Sequence, residues 1–180
     1  MTSASKQSIT NSVTGERITF LEKAPAGEGY EKIEVFLPPG ASGPPLHYHE
    51  KFEEMFEVVS GKLFIERDGE KIELSPDSGR ISIPVNTFHM FKNASGERPV
   101  TFRVTLTPAH YFQESMCILY GLLEDGLYTE EGQLSNPLHT AVVLDMQNTI
   151  VEGMEILEEW KKEAEEKGVR EELMAAYVKN

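Results

Sequence analysis

The feature that most constrains this chain is a series of short β-type segments, each ended by a turn signal, through its first two-thirds. ITFLE, KIEVFL, MFEVVS, KLFIER, KIEL, RISIP, TFHMF and VTFRVTL are rich in Val, Ile, Phe and Thr. PPG, SG, DG, PDSG and NASG separate them. Short strands at such regular intervals predict a sandwich or a barrel. Asp68-Gly69, between KLFIER and KIEL, is a hairpin signal, because a two-residue turn needs positive φ that these residues accept.

After Pro108 the pattern changes. Phe112, Met116, Leu119 and Leu123 recur at helical spacing, and Gly126 follows as a stop. Asn136-Pro137 reads as an N-cap with Pro at the first helical position, and Leu138, Val142 and Met146 then share one face. A last helical region is predicted from about Met154 to Tyr177, broken near Gly168. Each helix carries an apolar stripe that needs a surface to cover, either the barrel or a second subunit. The length, 180 residues, suits one domain. It divides into a mainly β barrel over about 16–107 and an α-helical extension over about 109–180. The first dozen residues, rich in Ser and Thr, read as a frayed tail.

Charge limits the partners. There are 17 basic and 30 acidic residues, a net charge of -13. Such a surface repels phosphate backbones and anionic lipid, so neither nucleic acid nor a membrane is expected as partner. Acid late in the chain, between Glu152 and Glu172, reads as the wet side of amphipathic helices. No apolar run is long enough to span a bilayer, and the first residues lack the apolar core of a secretory signal. A single cysteine, Cys117, excludes an intramolecular disulfide. A cytoplasmic protein is expected.

The chemistry gathers in two segments. In GASGPPLHYHEKFEEMFEVVSG, residues 40–61, His47 and His49 are two apart, so on an extended strand they face the same way and Tyr48 faces the other. Glu54 opens the next β-run. In GRISIPVNTFHMFKN, residues 79–93, His89 and Asn93 follow. Three imidazoles and a carboxylate form a plausible cage for a divalent first-row metal, and Fe, Mn, Ni, Zn or Cu would suit it. Glu53 is the rival carboxylate. Phe56 and Val58 alternate in phase with Glu54, whereas Glu53 is in phase with Glu57, so Glu54 is assigned inward.

Together the segments resemble the two motifs of the cupin superfamily. The first family motif is G, five residues, H-x-H, three or four residues, E, six residues, G. The match holds from His47 to Gly61, but Gly40 stands one residue too far upstream. The second is G, five residues, P-x-G, two residues, H, three residues, N. Here Gly79 is followed by only four residues before Pro84, and Asn86 replaces the usual Gly. Asn tolerates positive φ, so the turn can survive. Covering roughly residues 30–107, the resemblance implies a jelly-roll β-barrel with a metal held inside by His47, His49, Glu54 and His89. The helical extension resembles that of small single-domain cupins of the cupin 2 type. Such barrels commonly pair, so a homodimer is expected.

Phe56, Val58 and Phe91 are expected to wall a pocket for a small ligand. Arg103 alternates with apolar Phe102 and Val104. It grips a substrate carboxylate if its face lines the lumen, and is an ordinary residue if that face meets solvent, which is the preferred reading. Gly61 and Asn93 read as turn and backbone support. His110 and His139 read as surface positions, and Cys117 as packed. No serine elbow or phosphate loop is present. The function expected is therefore metal-centred, on a small oxygenated molecule. The leading reading is a dioxygenase. The alternatives are a metal-dependent isomerase or lyase, a non-catalytic binding module, and a structural or storage protein with a vestigial metal site.

Overall fold

The computed structural model describes residues 7–179. In chain order the strands are β1 (Ser8–Thr10), β2 (Arg17–Lys23), β3 (Glu31–Leu37), β4 (His47–Tyr48), β5 (Glu53–Ser60) and β6 (Leu63–Arg67). They continue with β7 (Glu70–Leu74), β8 (Arg80–Ile83), β9 (His89–Asn93) and β10 (Val100–Thr107), and β11 (Ile150–Val151) comes late. The helices are α1 (Phe112–Glu124), α2 (Pro137–Met146), α3 (Ile156–Glu166) and α4 (Val169–Tyr177). Two antiparallel sheets run β1-β2-β3-β10-β5-β8 and β11-β4-β9-β6-β7.

Alternation builds the core. Along β10, Val100, Phe102, Val104 and Leu106 are buried while Thr101, Arg103 and Thr105 are not. Ile33, Val35 and Leu37 of β3, Phe56 and Val58 of β5, and Leu63 and Ile65 of β6 face the same interior. At the β6–β7 hairpin, Asp68 (φ 46°) and Gly69 (φ 82°) both take the left-handed backbone that a two-residue turn demands. Asn86 does the same at φ 59°, so it fills the place of the motif glycine. Asn93 supports backbone. Its amide donates to the carbonyls of Leu37, Pro38 and Arg98, and its side-chain oxygen accepts from Ser95 N.

The extension is not a free appendage. One face of α1, with Met116, Tyr120 and Leu123, joins the barrel core. The opposite face, with Ile118 and Leu122, joins Val142, Val143, Met146, Ala164, Val169 and Leu173 of the other helices. The predicted caps and breaks are present: Asn136 Oδ1 accepts from Leu138 N, and Gly168 (φ 67°) separates α3 from α4. Buried Glu31 secures the start of α1 by accepting from His110 N at 2.8 Å and Gln113 N at 3.1 Å.

Two expectations change. The frayed tail does not hold where the chain is described, because Ser8–Thr10 pairs with β2; residues 1–6 lie outside the described residues. The apolar stripes, for which the barrel and a second subunit were both open, pack on the barrel and on one another within one chain, so they supply no ground for a dimer. Among the described residues, no helix is long and apolar enough to cross a membrane.

A candidate metal centre inside the barrel

β4 and β9 pair so that His47 stands opposite His89, and His49 follows two residues on. Ring nitrogens of His47, His49 and His89 all lie within 4.8 Å of one another, and all three residues are buried. The tautomers follow from their partners. His47 Nδ1 lies 2.7 Å from Pro45 O, His49 Nδ1 3.0 Å from Asn148 O, and His89 Nδ1 2.9 Å from Thr87 O. A carbonyl only accepts, so each Nδ1 carries a proton, and each Nε2 is the nitrogen left to bind a metal when its ring is neutral.

Glu54 faces inward and Glu53 outward, as the alternation requires. Glu54 Oε2 lies 2.8 Å from His89 Nε2 and 3.6 Å from His49 Nε2. Neither Glu54 Oε2 nor His89 Nε2 makes a hydrogen bond of acceptable geometry, although both are buried. Buried polar atoms left in this way carry a desolvation cost that a shared cation relieves. The residues therefore fit a divalent metal. Burial, and then the neighbouring His89 and His49, push the His47 pKa down to about 4, so His47 is neutral at pH 7 as a ligand must be. Burial would raise Glu54 and lower His89, but their mutual contact and that of Glu54 with His49 reverse both directions.

The cluster opens on a cavity of about 260 Å³. His47, His49 and Glu54 line it, with Phe91, Ile18, Ile33, Val35 and Val104 from the barrel. Phe91 is the one proposed pocket residue that the structure places on this wall, its ring seated against Gly43 where a Cβ would clash. Phe56 and Val58 lie a layer deeper. Phe56 packs behind Phe91 at 5.7 Å between ring centroids, and β5 brings Val58 opposite Phe102. Arg103, kept as a pocket candidate, is corrected to the surface, in line with the reading preferred from the sequence: it projects from the outer face of β10, where its Nε donates to Glu34 Oε2 at 2.9 Å. His110 and His139 are half-buried rather than on an open surface. Cys117 packs against the barrel core.

Sequence reasoning missed the extension's share of the site. Phe112, Met116, Leu119, Tyr120, Gln147 and Thr149 close the cavity. β11 pairs with β4, Ile150 opposite Tyr48 and Val151 opposite His47. Asn148 holds the loop beyond: its backbone carbonyl takes His49 Nδ1, and its Oδ1 accepts from Glu50 N at 2.7 Å and Lys51 N at 2.9 Å. An Asn just past a helix reads as a stop signal, consistent with its φ of 47°, but nothing local announces contacts a hundred residues away. Asn148→Ala removes the acceptor for two N–H groups and strains the left-handed backbone. Support of this kind behind a metal-ligating His typically carries about 10–100-fold in affinity. That loss is the expected outcome in a chelator-competition titration, with Asn148→Asp largely restoring affinity.

Comparison with known proteins now bears on the barrel. The cupin domain model of the Cupin_2 family matches residues 33–106. Residues 33–106 form a cupin domain. The cupin match contains all three clustered histidines and Glu54, and excludes the helical extension. Among curated proteins, the probable oxidoreductase VirH of Hypocrea virens is 37% identical over 79 residues, covering 42% of this chain and 36% of that one. The probable oxidoreductase PatJ of Aspergillus clavatus is 35% identical over 69 residues, covering 38% and 21%. The chain thus matches about a third or less of the length of these relatives. Among solved structures, an RmlC-like cupin from Shewanella frigidimarina aligns over 58% of this chain and 86% of its own, at 18% identity and a TM-score of 0.49.

Proposed function

We propose that this cupin binds a divalent metal through His47, His49, His89 and Glu54, and acts on a small oxygenated molecule, as an oxygen-dependent oxidoreductase of the dioxygenase type. The observation that carries the reading is three buried imidazoles, each with its Nδ1 held by a backbone carbonyl and its Nε2 left for a metal, beside an apolar cavity. A bound metal would supply Lewis acidity and, if redox-active, a means of activating oxygen. The chain's own residues do the rest. Pro45, Thr87 and Asn148 carbonyls fix the three rings. Phe91, Phe112, Met116 and Leu119 exclude water and favour a ligand with an apolar body. Partial similarity to two probable oxidoreductases supports the redox form of the reading.

An oxygen-electrode assay of iron-loaded protein against diketones, catechols and thiols tests it. Oxygen uptake that depends on substrate and is lost in His47→Ala is expected. Undiminished turnover under strict anaerobiosis would redirect the reading to a metal-dependent isomerase or lyase. Metal-dependent affinity without turnover would leave a binding module. The homodimer is carried as part of this proposal, and light scattering at micromolar concentration checks it.

A further inference from the structure

The cavity has a second polar feature that the metal cluster does not use. Glu16, just before β2, and Tyr120, on α1, line the same cavity as His47 and His49. The Tyr120 hydroxyl and the Glu16 carboxylate are close enough that each shifts the other's titration. Both residues lie outside the cupin match.

The sheet register separates this pair from the histidines. Glu54 stands opposite Leu106, Leu106 opposite Glu31, and Glu31 opposite Lys23, at the far end of β2 from Glu16. Glu16 is therefore three strands away from Glu54 and near the other end of the sheet. Between them the wall is apolar: Ile18, Ile33, Val35, Val104 and Phe91. The turn carrying Glu16 is held in place. Asn11 N donates to Glu16 O at 2.7 Å, Asn11 Oδ1 accepts from Val13 N and Thr14 N, and Glu16 N donates to Thr14 Oγ1.

A carboxylate set in an apolar wall is costly unless it has a task. Burial pushes the Glu16 pKa up, partly offset by Tyr120. An ionised Glu16 only accepts, and the Tyr120 hydroxyl can accept as well, so the two offer lone pairs to a ligand. Its complement is a hydrogen-bond donor. An ammonium would have to be stripped of water at far greater cost than a neutral hydroxyl.

We propose that Glu16 and Tyr120 recognise the hydroxyl group of an elongated, apolar ligand whose opposite end presents oxygen donors to the His47–His49–His89 cluster. Only the second half of this statement rests on the metal reading above.

Protein NMR titration of the full chain, nickel-loaded and metal-free, tests the two halves separately. One probe pair is 4-ethylphenol and ethylbenzene; the other is 1-(4-hydroxyphenyl)butane-1,3-dione and 1-phenylbutane-1,3-dione. In each pair the hydroxylated member is expected to bind about tenfold or more tightly. The ethylphenol preference should persist without metal, whereas diketone affinity should fall. Glu16→Leu should erase the preference yet keep ethylbenzene binding, which also reports that the cavity is intact. If Glu16→Leu does not fold, Glu16→Gln, of the same shape and a weaker acceptor, must still reduce the preference, and Tyr120→Phe likewise. Equal binding within each pair, or a preference that survives these substitutions, overturns the proposal. A phenol preference without metal-dependent diketone binding keeps Glu16 and Tyr120 in this role and removes the metal from ligand binding.

Discussion

Both His47→Ala and His89→Ala are expected to abolish tight divalent-metal binding, but only His89→Ala should also weaken the metal-free fold. His89 and Glu54 are buried against each other, with Nε2 and Oε2 2.8 Å apart. Removing His89 leaves the Glu54 carboxylate buried with only His49 nearby, at 3.6 Å. Breaking a buried pair from one side typically costs about 3–5 kcal/mol. His47 makes no such pair, and it is held neutral with its pKa pushed down to about 4. Its loss removes a ligand without orphaning a charge. Calorimetric metal titration and urea unfolding of the metal-free variants check both statements. Equal stability of the two variants would refute the assigned pairing.

Phe102→Ala carries the largest expected effect on the fold itself. Phe102 is fully buried at the centre of β10, between β3 and β5. Its ring lies 6.0 Å from that of Phe56 and 5.4 Å from that of Phe91. Such a truncation removes transfer energy and leaves a cavity that a β-barrel interior cannot readily collapse into, about 3–5 kcal/mol in all. That is a large share of the roughly 5–15 kcal/mol available to a typical domain. Because Phe91 forms the cavity wall, a relaxed Phe91 should also weaken ligand affinity, whereas Phe102→Leu should retain most of both properties. Denaturant unfolding of the two variants checks the order.

Much of this was legible in the sequence because its determinants are local. Period-two alternation in VTFRVTL and MFEVVS set the buried faces of β10 and β5, and the same alternation separated Glu54 from Glu53. Asp68-Gly69 and Asn136-Pro137 announced a turn and a cap through backbone preference alone. β1 and β11 escaped notice because two- and three-residue strands carry no period, and exist only through partners distant in sequence. The same reason hid Asn148, Glu16 and Tyr120. Their roles are defined by what the extension and the N-terminal hairpin bring against the barrel, which no spacing rule contains. Alternation did place Arg103 on the wet face of β10; the structure shows that this face is the outside, where Glu34 awaits it.

The measurement closest to the central claim is metal content by elemental analysis, after exposure of metal-free protein to an equimolar panel of Mn, Fe, Ni, Cu and Zn and then desalting. About one equivalent of divalent metal per chain is expected for the wild type, from the single cluster of three histidines, and a negligible amount for the His47→Ala, His89→Ala double variant. No retained metal in the wild type, or retention unchanged in the double variant, would contradict the assignment of this barrel as a metal centre.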